Sequence, residues 1–268
     1  MPGAGMPSWI LVAGIGLAGL LLAGLAAGIH LATRRNPSDG DWSGSLRQIA
    51  ADSPWRGVDV LWILLALALA HLVRPLLPDA GTWDLILFQG GLIAVLSWRA
   101  GSKPRPFGRR RPGQQVWAEA VIRWLAILPV LWFIAFVWHI LLKGFGWTPD
   151  IQPAIRLFLE STGLFSRILF LILAVGVAPI VEEALFRGIL LPLFARRIGP
   201  GPAIAITSVG FALLHGEPGT LAALTVFSVA LSLAYVRTRS LRTPILMHMI
   251  FNGVNLLLLA ILVRAGLI

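Results

Sequence analysis

Val181-Glu182-Glu183-Ala184-Leu185-Phe186-Arg187 sets three ionisable residues in a sequence that is otherwise oily on both sides. Leu169 to Ile180 precede it and Gly188 to Phe194 follow, and neither run holds another charge. At membrane depth a charge costs several kcal/mol unless it is paired, so such residues are rare and point first to function. On a helix, Glu183 and Arg187 stand four apart on one face and neutralise each other. Glu182 lies about 100° away around that helix and is left over. An unpaired carboxylate in an apolar span has to be explained.

The composition says why the span reading applies. The chain has 268 residues, 57% hydrophobic and only 13% charged, with a mean hydropathy of +0.83. Soluble domains carry about a quarter charged residues, so this is a membrane protein. A net charge of +10 invites a nucleic-acid reading. The basic residues, however, sit in short loops between apolar runs, which is the positive-inside pattern, and no nucleic-acid partner is expected. There are no cysteines, which excludes disulfides and thiolate metal sites. No loop is long enough for a large soluble domain.

Reading for spans of roughly 17–25 apolar residues yields eight, at about 8–33, 57–77, 82–98, 117–142, 164–195, 201–215, 219–236 and 243–263. The expected fold is therefore all-α, a polytopic transmembrane bundle of about eight spans. The first run lacks a basic n-region and is too long for a signal peptide, so it is read as a span. The fifth is too long for one simple span, and a kink or break is expected at Pro179. Loop arginines set the orientation. Arg34, Arg35, Arg47 and Arg56, then Arg99 to Arg111, then Arg196 and Arg197, then Arg237, Arg239 and Arg242 fall on one side. That side is cytoplasmic, which leaves both termini outside. The Arg-rich loop 99–115 could hold anionic lipid headgroups, but a topology signal explains it.

All eleven tryptophans lie between Trp9 and Trp147. Those at span ends read as interface anchors. Two regions follow from this asymmetry: a Trp-rich set of transmembrane helices at 1–150, and a core at 160–263 that holds the polar intramembrane residues.

Two further polar pairs belong to that core. Phe211 and His215 are four apart at the end of the sixth span, and His248 and Asn252 are four apart in the eighth. Each pair shares a helix face. At about 1.5 Å per residue, Glu182 and His215 lie roughly 20 Å in from the cytoplasmic boundary, and His248 and Asn252 roughly 9 and 15 Å. The group suits hydrolysis. In apolar surroundings a glutamate becomes a better general base toward water. A histidine beside it can orient that water, share its proton or ligate a metal. A second histidine and an asparagine are donors of the kind that stabilise an oxyanion.

Glu-Glu-x-x-x-Arg, then Phe-x-x-x-His, then His-x-x-x-Asn, in this order on successive apolar segments, resembles the CPBP intramembrane protease family. That family includes CAAX prenyl endopeptidases and bacterial relatives linked to bacteriocin immunity. The resemblance covers roughly residues 160–263. It implies an endopeptidase acting on a membrane-associated protein or peptide, lipidated in some members, near the cytoplasmic face of a bacterial inner membrane. By it, Glu182 is the catalytic base or metal-binding carboxylate, with His215 as its partner. His248 and Asn252 form the oxyanion site or add a ligand, and Glu183, Arg187 and Phe211 support them. Two mechanisms stay open. Glu182, His215 and His248 could hold Zn2+ and leave a position for water, or the glutamate could act without metal. No His-Glu-x-x-His motif is present to decide for zinc.

Blander readings compete. Glu183 and Arg187 are also a structural ion pair, Asn252 and Asn255 are also helix–helix glue, and His30, His71 and His139 sit near span ends where an amphipathic side chain reaches the interface. A proton-coupled transporter is a weaker alternative, because the polar residues cluster and form no path to the outer side. A non-catalytic immunity or scaffold protein of the same fold is the other.

Overall fold

The computed structural model describes residues 8–33, 41–76, 80–101, 113–147 and 163–264. Among these it is all-helical, with nine helices and no strand. They are α1 (Ser8–Thr33), α2 (Trp42–Asp52), α3 (Gly57–Val73), α4 (Ala80–Gly101), α5 (Gly113–Gly144), α6 (Leu164–Ile198), α7 (Pro200–Leu213), α8 (Leu221–Thr238) and α9 (Arg242–Arg264). The helices at 57–76, 113–144, 164–198, 218–238 and 242–263 are long and apolar enough to cross a membrane, and α1, α4 and α7 contain shorter apolar stretches. These eight match the eight runs read from the sequence. Their outer faces carry large exposed apolar side chains, such as Leu65 and Leu69 on α3 and Phe133 and Phe136 on α5. Surfaces like this are solvated by lipid. The protein is an integral membrane protein.

α8 is the central helix. Of its membrane-crossing window 44% is buried, against 11–22% for the other four long helices. One side of α8 (Leu224, Tyr235, Val236) joins a core with α2, α3, α4, α6 and α7. The other (Phe227, Leu231, Ala234) packs on Ala120, Trp124, Leu128 and Leu131 of α5 and Met247 of α9. Helices from both regions of the chain thus share one interior.

α1 lies along α5, and the approach is close because of a proline and a glycine. Pro129 inside α5 has no N–H, so it leaves the Leu125 carbonyl without its helical partner. Gly24 of α1 sits over that spot: a Cβ there would lie 2.6 Å from the Leu125 oxygen and 2.8 Å from the Pro129 ring. Small residues let membrane helices approach in this way. Gly24→Val is therefore expected to push α1 off α5 at a cost of about 1–3 kcal/mol. A thermal melt in detergent reads this, and an unchanged melting temperature would show that α1 is not seated there.

Two features differ from the sequence reading. The stretch 34–56, read as a basic loop, contains the amphipathic helix α2. Asp41 caps it, accepting from the Gly44 N–H at 2.7 Å and the Ser43 hydroxyl at 3.0 Å. These bonds, led by that from Gly44, hold the Asp41 carboxyl below the usual carboxylate range. Leu46, Ala50 and the following Trp55 are fully buried against the end of α6, and Arg196 donates to the Trp55 carbonyl. A short helix with one apolar face is easily mistaken for loop by a search for spans. Nearby, Asp59 at the start of α3 is buried, caps its helix through the Arg56 N–H at 2.8 Å, and binds Arg99 of α4 at 2.6 Å. Together these contacts gather Arg56, Arg99 and Arg196 at one end of the bundle. Arg34, Arg35 and most of the 99–115 loop lie outside the described residues.

The second difference is at Pro179: of the kink or break expected there, the break does not occur. α6 widens instead into two π-helical stretches, Ile172–Val177 and Ala184–Leu190, joined by six α-helical residues, Ala178–Glu183. Each stretch ends two residues before a proline, Pro179 or Pro192. A proline ring crowds the carbonyl four residues back. A widened turn moves that carbonyl aside, so the helix continues.

Candidate active site

The six α-helical residues between the widened turns carry both glutamates. Glu183 is fully buried. Its Oε1 accepts from Arg187 Nη1 at 2.7 Å and from His248 Nδ1 at 3.0 Å. Arg187, 1% exposed, spends its other donors on α8: Nη2 reaches the Ser228 carbonyl at 2.9 Å and its hydroxyl at 2.6 Å, and Nε reaches the Ser232 hydroxyl at 3.4 Å. The guanidinium also lies over the ring of Phe211, 4.9 Å from its centroid, and 5.9 Å from that of Phe186. A buried charge needs this degree of satisfaction to be tolerated. Ser228 and Ser232 were not singled out from the sequence, although two serines four apart in an apolar helix are the visible signal.

Glu182 is the other kind of carboxylate. Its side chain is 26% exposed, yet its Oε2 is buried and makes no hydrogen bond. The nearby ring nitrogen is His248 Nε2 at 3.8 Å, beyond hydrogen-bond length. Because the carboxylate of Glu183 only accepts, the proton shared with it sits on His248 Nδ1. In neutral His248, Nε2 then presents a lone pair toward Glu182. Phe211 and Phe227 enclose the His248 ring edge-on at 5.6 and 5.7 Å, which restrains its rotation.

His215 stands just past the end of α7, in the turn before α8, and is exposed. Its Nδ1 lies 2.8 Å from the Phe211 carbonyl. A carbonyl only accepts, so Nδ1 carries the hydrogen of that bond. Its ring stacks at a tilt on Phe211, with centroids 4.8 Å apart. Phe211, buried completely, thus touches His215, His248 and Arg187 at once. The turn that holds His215 is braced from α5. Trp138 Nε1 donates to the Pro218 carbonyl at 2.7 Å, and Trp147 lies so near Gly219 that a Cβ there would fall 2.7 Å from it. Glu217, unassigned from sequence, caps this turn through the Gly219 N–H at 3.2 Å.

Asn252 donates from Nδ2 to the Ala174 carbonyl at 2.8 Å, one helical turn from His248 on α9. The structure therefore brings Glu182, Glu183, Arg187, Phe211 and His248 together. It sets His215 beside Phe211 and holds Asn252 on the first widened turn of α6.

Among the described residues, no three His, Asp or Glu side chains form a group that could hold an ion. Glu182 and His248 approach each other, but His215 is not within 4 Å of either carboxylate. The three candidate zinc ligands thus stand as two neighbouring groups and a separate third.

Residues 164–254 match the family model described as type II CAAX prenyl endopeptidase Rce1-like. That segment contains every residue just placed in the site. No curated protein and no solved structure matches the chain. The family match supports an intramembrane endopeptidase of the CAAX-protease type.

Proposed function

We propose that this chain hydrolyses a peptide bond in a membrane-associated protein or peptide, with Glu182 as general base. The observation that carries the reading is the contrast between neighbouring glutamates. Glu183 is held through its Oε1 by Arg187 and His248, with only its Oε2 left over, whereas Glu182 makes no hydrogen bond through its buried Oε2 and has His248 Nε2 at 3.8 Å. A structural carboxylate in a bilayer would be paired; one kept for chemistry has to be free.

In this mechanism Glu182 takes a proton from a water molecule, and the hydroxide adds to the scissile carbonyl carbon. Two groups are assigned to hold the tetrahedral oxyanion: the second amide N–H of Asn252 and the ring of His215. When the C–N bond breaks, the proton on Glu182 passes to the leaving nitrogen. His248, oriented by Glu183, supports Glu182 through the transfer. The products are a carboxylate and an amine. The substrate class this reading expects is a peptide anchored at the basic end of the bundle, including one carrying a lipid.

The test is cleavage of a quenched peptide library, lipidated and unlipidated, by purified protein in liposomes, read by mass spectrometry with and without chelator. Wild type should cleave, and His215→Ala should lose about 10²–10³ of the rate with its melting temperature kept. Full activity in His215→Ala would remove that residue from the mechanism. No cleavage across the library, with variants that still support the cellular role, would favour a binding protein of the same fold. Loss of activity with chelator would identify a metal requirement.

A further inference from the structure

Asn252 and Pro179 are joined by an accounting of backbone hydrogen bonds in α6. In the first widened turn the Ala178 N–H bonds back five residues, to the Leu173 carbonyl. The next bond in that register would run from residue 179 to the Ala174 carbonyl, but residue 179 is proline and has no N–H. The four-residue register offers nothing either, since the Ala178 N–H is committed to Leu173. The Ala174 carbonyl has therefore lost both helical donors at a depth where water does not replace them. Asn252 Nδ2 of α9 stands 2.8 Å from that oxygen.

We propose that Pro179 and Asn252 are a matched pair: the proline exposes the Ala174 carbonyl, and the asparagine amide caps it. The resulting bond is a second peg between α6 and α9, beside the one from His248 to Glu183. Two pegs fix both translation and rotation of α9 against α6, where one would leave a pivot. The same bond engages one amide hydrogen of Asn252 and so sets the direction of the other. Pro179 thereby acts as a positioning residue for the site without touching it.

The pair makes a coupling prediction. Asn252→Leu keeps the size of the side chain but removes the donor. In the wild-type background it should lower the melting temperature in detergent by on the order of 5 °C, because the Ala174 carbonyl is then orphaned. Pro179→Ala restores an N–H. Whether α6 keeps its widened turn or relaxes to a regular helix, the Ala174 carbonyl then finds a donor in its own helix. In that background Asn252→Leu should change the melting temperature by less than about 2 °C. An equal loss in both backgrounds would overturn the pairing. If Asn252→Leu alone does not accumulate, recovery of folded protein in the double variant carries the same meaning, and no recovery overturns it. A second measurement separates positioning from plain support. Pro179→Ala should lower kcat while leaving KM within about twofold and the fold intact, since it frees the amide from its tether. Unchanged kcat would limit the pair to holding the helices together. The kcat measurement rests on the hydrolase reading, but the melting cycle does not. A chain that cleaves nothing still tests the pair.

Discussion

Arg187→Met is expected to lower the melting temperature of the detergent-solubilised protein by on the order of 10 °C. Methionine keeps most of the volume between Phe186 and Phe211, so the loss reads the charge and not a cavity. Glu183 would remain fully buried with its Arg187 contact gone, and Ser228 and Ser232 on α8 would lose their donor. Removing one member of a buried ion pair typically costs about 3–5 kcal/mol, because the other charge is left uncompensated. Removing both should cost less, so Glu183→Gln combined with Arg187→Met should recover part of the loss. A melting temperature unchanged within about 2 °C in Arg187→Met would mean that the guanidinium is not what holds α6 to α8.

Glu182→Gln should behave in the opposite way. Its Oε2 has no hydrogen-bond partner to lose, so stability should stay at the wild-type level or rise. The rate, however, should fall by about 10²–10⁴-fold, the usual contribution of a general base. Glu183→Gln, next to it in the chain, should damage both quantities, since it loosens Arg187 and His248 together. The two adjacent glutamates thus separate chemistry from architecture in one experiment. A Glu182→Gln enzyme with wild-type kcat would end the general-base assignment.

Much of this is legible in the sequence itself. The split between Glu182 and Glu183 follows from four-residue spacing alone, because helix geometry allows only one of the two to meet Arg187. The eight apolar runs follow from bilayer thickness. The residues that escaped are those whose role depends on a partner far along the chain. Ser228 and Ser232 matter because α8 lies against Arg187, and nothing within α8 says so. Trp138 and Trp147 had no role assigned from the sequence, yet they brace the turn that carries His215. Asn252 carried two readings from sequence, glue and oxyanion donor, and its partner became visible only once Pro179 was seen to leave a carbonyl open. The helix α2 escaped for a different reason: it is too short and too polar on one face to register as a span.

The paired widened turns of α6 also bear on how such a helix can vary in length. A π turn holds one residue more than an α turn. Deleting a single residue within 172–177 would let the ladder close as ordinary α-helix, and the span would still reach across the bilayer. Because the widened turn and the ordinary turn that replaces it each go once round the axis, the residues before it would keep their facing relative to Glu182 and Glu183. The same deletion in a regular α-helix would rotate one half against the other by about 100°. In α6, the widened turns let chain length change without changing which way the carboxylates face.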